Sequence, residues 1–356
     1  MTGRVYLDWN AGAPLRAEAR AAMLAALDLG NPSSVHAEGR AARAAMERAR
    51  AQVAALAGCD PEQVIFTASA TEAAALAARN LPPLAAAPIE HDCVAAHAAH
   101  GLPVRADGAA DVAAASDEAA LALQVANSET GVVQPDPVRR VDLEDAAQAV
   151  GRTGWRWNGA RTRFAILSSP KLGGPKGAGA LIAPPGAELD PLLPGGGQER
   201  RRRAGTENVA AVAGFGAAAE AALAEREAGV WEAVAALRER LEDAISDWSG
   251  RAIIFGREAA RLPNTLCVAT PGWRGETQVM GLDLAGFAVS AGSACASGKT
   301  GPSAGLAALA AAMGFDAGLA GDAIRVSLGP TTTMDEIDRF ARAWAGLHDK
   351  RRAKAA

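Results

Sequence analysis

The 356-residue chain has only four cysteines, and no two of them are close together in sequence. Without a Cys-x-x-Cys pair or a dense cysteine framework, neither a zinc knuckle nor a disulfide-stapled module is indicated. We expect free thiols, as in a reducing cytosol. The four are Cys59, Cys93, Cys267 and Cys295.

The chain also lacks a long apolar run, an export signal and a strong charge bias. Residues 304–315 are rich in alanine, but they fall short of the roughly 18 residues that span a membrane. Residues 1–10 read as a short strand, not a signal peptide. The net charge is −4, so no global field attracts nucleic acid or anionic lipid. We predict a soluble, cytoplasmic protein with neither nucleic-acid nor membrane partners.

No metal centre is indicated by the histidines. His91, His97 and His100 lie close together in sequence, but they lack the flanking acids or thiols of a metal site. We therefore predict no metal ligands.

Short apolar strands instead alternate with helical patterns through the first two-thirds of the chain. This alternation predicts an α/β fold, with a mostly parallel sheet covered by helices on both faces. Ligands of such sheets bind at the turns that follow the strands. The predicted helices are 16–28 and 36–57, a third helix opens at Thr71-Glu72, and the predicted strands are 63–67, 121–126, 164–167 and 180–183.

The pattern changes after a long helical segment at 208–248, which is broken around Gly229. Four more strands are predicted beyond it, and Thr333 to Glu336 form a capping box that opens the last helix. We predict a large domain, 13–248, and a smaller C-terminal domain, 249–356, joined by the N-terminal segment 1–12. The four strands are 252–255, 265–269, 287–290 and 323–328.

Lys171 follows an apolar strand and precedes a Gly-rich turn that ends at Gly177. Partial desolvation at such a position lowers the pKa of the amine and frees it to attack an aldehyde, as a Schiff-base lysine must. The alternative is an ordinary solvated loop lysine.

A pyridoxal phosphate site needs further groups around that lysine. Asp145 can keep the ring nitrogen protonated, with Gln148 close by, and the helix start at Thr71 can bind phosphate. His91 can stack on the ring. Each has a simpler alternative: a surface helix acid, an ordinary helix cap and a structural histidine.

Three further segments carry candidate residues. Cys295 lies among small residues in 289–301, which suits a thiol that visits a site and then exposes its cargo. Arg325 is a charge in an apolar strand, which fits either a bound substrate carboxylate or an internal ion pair. Arg200 to Arg203 precede a turn containing Thr206 that can grip phosphate; a solvated patch is the alternative.

Motifs that run almost end to end carry a specific resemblance. They are Tyr6-Leu-Asp8, Asn31-Pro-Ser-Ser34 with His36, Gly39-Arg40, Thr71-Glu72, Glu90-His91, Glu129-Thr-Gly131, Gln134-Pro135, Asp145 with Gln148, Lys171, Gly173-Gly-Pro-Lys-Gly177, Gly195-Gly-Gly-Gln198, Arg203-Ala-Gly-Thr-Glu-Asn208, Leu262-Pro-Asn-Thr265, Ser293-Ala-Cys295-Ala-Ser297 and Ile324-Arg325. In this order the motifs resemble the group I (NifS/IscS-like) cysteine desulfurases, a branch of the class V aminotransferase-like enzymes. The resemblance implies fold type I, with a mostly parallel seven-stranded sheet in the large domain and a smaller α+β C-terminal domain.

The resemblance also implies a role for each matching residue. Lys171 would hold pyridoxal 5'-phosphate through an imine, and Cys295 would accept the sulfur. The other implied roles are His91 stacking on the ring, Asp145 at the ring nitrogen, Gln148 at the ring hydroxyl, Thr71 and Ser168 at the phosphate, Glu72 in the cofactor site, Thr206 at the phosphate from the other subunit of a homodimer, and Asn31 and Arg325 at the substrate carboxylate.

The implied reaction converts L-cysteine to L-alanine and leaves a persulfide on Cys295. The sulfur would then pass to an acceptor or scaffold protein, with iron–sulfur cluster assembly as the leading expectation. Two alternatives stay open: a selenocysteine lyase-like enzyme, and a weakened family member that acts as a sulfur-assembly partner. An ordinary transaminase is disfavoured because it needs no loop cysteine.

Four positions depart from the family pattern. Pro170 replaces a histidine that can contact phosphate, and Ser128 replaces a longer amide expected at the ring hydroxyl. Leu143 replaces a histidine, and Arg163 replaces an acid near the lysine strand. The lysine, the ring aspartate, the stacking histidine and the thiol are all kept, so we expect an active enzyme.

Overall fold

The fold is an α/β architecture with a seven-stranded and a four-stranded sheet within the described residues. The computed structural model describes residues 3–137, 139–291 and 303–355. The α/β class and the mostly parallel seven-stranded sheet are therefore confirmed.

The helices follow the predicted pattern closely. Gly58 ends the second helix in a left-handed conformation, with φ of 75°, and Gly229, with φ of 72°, separates the two long helices at the predicted break. None of the described helices is both long and apolar enough to cross a bilayer. The helices are α1 (Ala17–Ala26), α2 (Ala37–Ala57), α3 (Ala70–Arg79), α4 (Asp92–Ala95), α5 (Val209–Glu227), α6 (Val230–Trp248), α7 (Gly275–Leu284), α8 (Ala304–Ala312) and α9 (Met334–Ala355).

The strands include several that the sequence pattern does not reveal. β3 and β4 are short, and β6 carries three acids in five residues, so it reads as a polar segment. The strands are β1 (Val5–Tyr6), β2 (Val64–Thr67), β3 (Leu84–Ala86), β4 (Ala98–Gly101), β5 (Ala120–Gln124), β6 (Val141–Asp145), β7 (Thr162–Ser168), β8 (Gly179–Ile182), β9 (Ile253–Ile254), β10 (Thr265–Ala269), β11 (Phe287–Ala288), β12 (Ser290–Ala291) and β13 (Ala323–Ser327).

The large sheet has the strand order β2-β8-β7-β6-β5-β3-β4, and β8 alone runs against its neighbours. Because β5, β6 and β7 are parallel, their carboxyl ends meet at one edge of the sheet. Those ends are Gln124, Asp145 and Ser168. The topology therefore brings together side chains that are far apart in sequence.

Helices cover both faces of this sheet, as the pattern predicts. Side chains alternate along a strand, so Leu167 of β7 packs with α2 and α5, whereas Ile166 packs with α3 on the opposite face. Phe215 of α5 and Leu76 of α3 are the helix partners on the two faces. Nearly continuous apolar strands are what such two-sided burial requires.

The second sheet is antiparallel, with the order β12-β13-β10-β9. Its apolar core includes residues of α6, α7 and α9, such as Trp231, Leu282 and Trp344. The N-terminal segment joins the same core through Leu7, and β1 pairs with β11. The domain boundaries at 12/13 and 248/249 stay a prediction.

The strand predicted at 287–290 is in fact two strands. β11 pairs with β1 in one sheet and β12 pairs with β13 in the other, so the chain changes partner at Val289. A single apolar run cannot show such a change of partner. The capping box at the start of α9 is present: Glu336 N donates to Thr333 Oγ1 and Thr333 N donates to Glu336 Oε2.

Candidate functional site

A cavity of about 180 Å³ lies where β5, β6 and β7 end. Its wall brings together six of the predicted site residues: Thr71, His91, Asp145, Gln148, Ser168 and Lys171. Glu72, Asn31, Thr206 and Arg325 are not part of this wall. Cys295 lies outside the described residues.

Lys171 lies in the 3-10 turn Ser169–Leu172, directly after β7. Its Nζ donates to the carbonyl oxygens of Asn10, at 2.7 Å, and Ala11, at 2.9 Å. The turn closes at Gly173, whose φ of 79° places it in the left-handed region that glycine adopts easily. The strand and the Gly-rich turn predicted around Lys171 are thus present.

Asp145 ends β6 and is buried at the base of the cavity. Burial raises the pKa of its carboxyl, while the backbone hydrogen bond from Ala147 and the positive charge of Lys171 act in the opposite direction. The backbone N–H of Ala147 donates to Oδ1 at 2.9 Å. A buried carboxylate is stabilised by a charged hydrogen-bond donor. A protonated ring nitrogen would be such a donor.

His91 is the N-cap of α4 and forms part of the cavity wall. Its Nδ1 accepts a hydrogen bond from the backbone N–H of Cys93 at 3.2 Å. A ring nitrogen that accepts carries no proton, so the neutral ring has its proton on Nε2. This cap fixes the plane of the imidazole beside Asp145.

The first turn of α3 faces the same cavity. Ser69 caps the helix by accepting from Glu72 N at 3.1 Å, and Thr71 in the first turn joins Ser168 of β7 in the wall. Helix N-termini favour anions because their N–H groups lack intrahelical acceptors. The Glu72 carboxylate lies elsewhere, where it accepts from Ala68 N at 2.7 Å and from Arg203 Nε at 2.8 Å.

Gln148 is held from two sides. Its Oε1 accepts from Arg152 Nη1 at 2.7 Å, and its Nε2 donates to the carbonyl oxygen of Asn10 at 3.1 Å. The same Asn10 oxygen accepts from Lys171. The two predicted cofactor residues therefore share one backbone acceptor.

Asn10 is a buried junction that the sequence analysis does not single out. Only 1% of the residue is exposed. Its Nδ2 donates to Ser128 O and to Thr265 Oγ1, at 3.1 and 2.8 Å. Its Oδ1 accepts from Arg152 Nη1 at 2.7 Å and from Asn264 Nδ2 at 3.0 Å. A lone asparagine in the turn after β1 gives no signal of such a role.

Arg325 is 1% exposed on β13, and the internal ion pair considered for it is present. Its Nη2 donates to Asp8 Oδ1 at 2.8 Å, and its Nη1 donates to Ser128 O at 3.1 Å. Ser128 itself belongs to the cavity wall. Arg325 therefore contacts the cavity wall through its hydrogen bond to Ser128.

The other predicted residues lie away from the cavity of this single chain. Asn31 is exposed, and its Oδ1 accepts from Ser33 N at 2.9 Å. Thr206 is exposed in the segment before α5. The roles predicted for both stay predictions.

Three of the positions that depart from the family pattern, Leu143, Arg163 and Pro170, lie outside the cavity wall. Leu143 packs in the apolar core beside Phe164, and Arg163 lies over the ring of that phenylalanine at 5.2 Å. Neither belongs to the cavity wall. Pro170 occupies the first turn of the 3-10 segment and adds no side-chain donor beside Lys171.

Two further buried acids, Glu90 and Glu129, are sequence neighbours of the wall residues His91 and Ser128. Glu90 Oε1 accepts from Gln124 N at 2.8 Å, and burial raises the pKa of its carboxyl to about 8. Burial raises the pKa of Glu129 to about 7, and its Oε2 accepts from Ser303 Oγ at 2.6 Å. Within the described ranges, no cluster of three His, Cys, Asp or Glu side chains could hold a metal ion.

A family comparison matches this architecture over nearly the whole chain. Residues 5–340 match the model of the family "Aminotransferase class-V". The chain belongs to the class-V aminotransferase family. Enzymes of this family generally depend on pyridoxal phosphate.

Class-V relatives of known name support the same placement. A cysteine desulfurase from Cereibacter sphaeroides is 40% identical over 98% of this chain and 97% of its own length. The solved NifS-like protein from Rickettsia africae has a TM-score of 0.86 at 28% identity, covering 97% of this chain and 99% of that one. A structure described as SspA in complex with cysteine has a TM-score of 0.74 at 25% identity, covering 92% and 100%. The predicted fold type I is thereby confirmed.

The residues of the cavity fit the cofactor of the class-V family. The wall offers an amine for an aldehyde, a buried carboxylate for a ring nitrogen and hydroxyls at a helix start for a phosphate: Lys171, Asp145, and Thr71 with Ser168. A buried amide nitrogen of the same wall, Gln124 Nε2, has no hydrogen-bond partner within the described protein. The donor set is therefore complementary to pyridoxal phosphate.

Replacing Glu90 with Gln should flatten the pH dependence of stability. The folded carboxyl, with a pKa of about 8, keeps its proton where an unfolded glutamate, with a pKa of about 4.3, loses it. The folded state thus binds the extra proton, and stability falls as pH rises through that window, by up to about 1.4 kcal/mol per pH unit. Urea unfolding at pH 6 and pH 8 measures the change. If Glu90→Gln keeps the pH dependence of the parent, as Glu118→Gln at an exposed position should, this account of Glu90 is wrong.

Replacing Asn10 with Ala should destabilise the fold by about 2–6 kcal/mol, because this buried residue loses four side-chain hydrogen bonds at about 0.5–1.5 kcal/mol each. Chemical denaturation measures this loss. Asn158→Ala is the control. Asn158 is exposed, and its side-chain oxygen accepts one hydrogen bond, from Ala160 N at 3.1 Å, within the part of the chain that the structure describes. Equal effects of the two substitutions would contradict the junction described for Asn10.

Proposed function

We propose that the chain is a cysteine desulfurase that uses pyridoxal 5'-phosphate to convert L-cysteine to L-alanine, with Cys295 as the sulfur acceptor. The observation that carries the proposal is the meeting of Lys171, Asp145 and His91 in the wall of one cavity. The nearly full-length similarity to a protein named cysteine desulfurase supports the substrate and the product.

The cofactor, when bound, supplies an aldehyde for amines and a ring that takes up electron density. Asp145 holds a proton at the ring nitrogen through its buried carboxylate. His91 would stack on the ring, and the N–H of Cys93 holds its imidazole in place.

Lys171 anchors the cofactor and later moves the proton of the substrate Cα. The carbonyl oxygens of Asn10 and Ala11 hold its amine at 2.7 and 2.9 Å. Carbonyl oxygens only accept hydrogen bonds, so the amine is the donor to both of them. They would therefore hold the amine in place when it is not bonded to the cofactor.

The phosphate is assigned to Thr71 and Ser168, at the start of α3 and the end of β7. Their place in the wall and the helix N-terminus support this assignment. Thr206 reaches the phosphate from the second subunit of a homodimer, which agrees with its exposure in a single chain.

Arg325 binds the substrate carboxylate together with Asn31. Support comes from the buried guanidinium, whose Nη1 donates to Ser128 O at the edge of the cavity. A carboxylate bound there is recognised by charge-assisted hydrogen bonds. Asp8 holds the other side of the guanidinium and limits its rotation.

Cys295 performs the sulfur transfer. Its thiolate attacks the sulfur of cysteine, a sulfur–sulfur bond forms, and the carbon–sulfur bond breaks with its electron pair remaining on the carbon that becomes the methyl group of alanine. The described residues on either side of the segment lie near the site: Ala291 pairs with Ile324, next to Arg325, and Ser303 donates to Glu129. The persulfide then passes its sulfur to an acceptor or scaffold protein, as in iron–sulfur cluster assembly.

Purified protein supplied with cysteine and pyridoxal phosphate should release alanine and carry persulfide on Cys295, followed by amino-acid analysis and by peptide mass. Lys171→Ala should lower alanine release at least about 100-fold, because it removes the proton-transferring amine. Cys295→Ser should abolish the persulfide at that position.

Two matched variants control this experiment. Lys176→Ala changes an exposed lysine close in sequence, and Cys59→Ser changes another thiol of the chain, so both should behave as the parent. Full alanine release by Lys171→Ala, or persulfide formed by Cys295→Ser in parental amount, would refute the assigned roles.

A further inference from the structure

Gln124 has a buried hydrogen-bond donor that no group of the described protein satisfies. The residue ends β5, is 3% exposed and forms part of the wall of the cavity. Its side-chain Nε2 is shielded from solvent and has no partner. Neither the sequence motifs nor the assigned roles involve this residue.

The orientation of the Gln124 amide is set by its neighbour Asn127. Asn127 Oδ1 accepts from Glu129 N, Thr130 N and Thr130 Oγ1, at 3.0, 2.8 and 3.0 Å. Asn127 Nδ2 must therefore lie on the other side, where it donates to Gln124 Oε1 at 3.4 Å. The amide oxygen of Gln124 faces Asn127, which leaves the Nε2 donors for another group.

Gln124 is also the strand neighbour of the ring aspartate. In the parallel pairing of β5 with β6, Gln124 lies opposite Asp145. Paired residues of adjacent strands place their side chains on the same face of the sheet. The unsatisfied donor thus belongs to the same face and the same sheet edge as Asp145.

A buried donor left unpaired lowers stability, so such groups are rare in folded proteins. The cost disappears when a ligand brings an acceptor into the cavity. Pyridoxal phosphate carries several acceptor oxygens, and its other groups match the amine, carboxylate and hydroxyls of the wall. The position of Gln124 in that wall makes it a candidate for direct contact.

We propose that Gln124 Nε2 donates a hydrogen bond to the bound pyridoxal cofactor and so adds to its affinity. The inference rests on the proposed function, because it names a further binding residue of the same site. An ordered water between Gln124 Nε2 and the buried Glu90 Oε2, which also has no partner within the described protein, is the competing arrangement.

The test compares Gln124→Met with the parent, first without and then with pyridoxal phosphate. Methionine keeps the length of the side chain but removes the donor. The cofactor dissociation constant should rise roughly 3- to 10-fold, the worth of one hydrogen bond. The melting temperature of the cofactor-free variant should stay equal to the parental value or increase, because the unpaired donor is gone. Fluorescence titration and calorimetry give the two readings, and Gln124→Leu serves as a second variant in case Met misfolds.

Gln134→Met is the matched control. Gln134 is a buried glutamine outside the wall, with Oε1 accepting from Ala110 N at 2.8 Å and Nε2 donating to Gly108 O at 3.3 Å. Its loss should lower the melting temperature of the cofactor-free protein and leave the dissociation constant unchanged.

Three outcomes would overturn the inference. An unchanged dissociation constant for Gln124→Met rules out the contact. If cofactor-free Gln124→Met melts at a lower temperature than the parent and binds the cofactor equally well, the Gln124 amide instead donates to a water shared with Glu90. Failure of the parent itself to bind pyridoxal phosphate overturns the proposed function together with this inference, whereas binding by the parent with equal affinity of the variant overturns the inference alone.

Discussion

The backbone carbonyl of Asn10 is the acceptor on which the arrangement of the site depends. It receives the amine of Lys171 and the amide of Gln148, while the Asn10 side chain bonds to Ser128, Thr265, Asn264 and Arg152. The N-terminal segment, the large sheet and the C-terminal sheet therefore meet at one buried residue. The residue that holds the lysine amine thus also bonds to parts of both sheets, which links the geometry of the site to the packing of the whole chain.

The charges around this junction are arranged as opposing sets. On the acidic side, burial raises the pKa values of Asp145 and Glu90. On the basic side, burial lowers the pKa of the Arg152 guanidinium to about 9, with smaller contributions from Arg325 and Arg16. Arg152 donates to Asn10, to Gln148 and to the carbonyl oxygen of Lys171. A buried cation thus supports the backbone beside the lysine, whereas the Glu90 carboxyl, with its raised pKa, keeps its proton at neutral pH and adds no negative charge.

Much of the fold was predictable because it follows from local patterns. The helices at α2, α5 and α6 are bounded by glycines and by apolar periodicity that the sequence displays directly, and Gly229 marks the break between α5 and α6. β6 was not predicted because three of its five residues are acids, although its apolar residues alternate as a strand requires. The change of partner at Val289 depends on tertiary pairing, which no local pattern records.

The site was predictable where the motifs carried it and unpredictable where the contacts are long-range. Lys171, Asp145 and His91 share a cavity because parallel strand ends meet at one edge, which is a rule of the fold. Asn10 lies far in sequence from every partner, and a glutamine such as Gln124 is unremarkable until its burial is known. Glu72 shows the opposite case: its motif position is right for a helix start, but its carboxylate pairs with Arg203.

The central claim is that the amine at position 171 is the one that bonds to the cofactor. Incubation of the protein with pyridoxal phosphate, reduction with borohydride and peptide mapping by mass test this directly. The account predicts one modified site, at Lys171. A label on Lys176 or Lys350 instead, or a chain that stays unmodified, would contradict it.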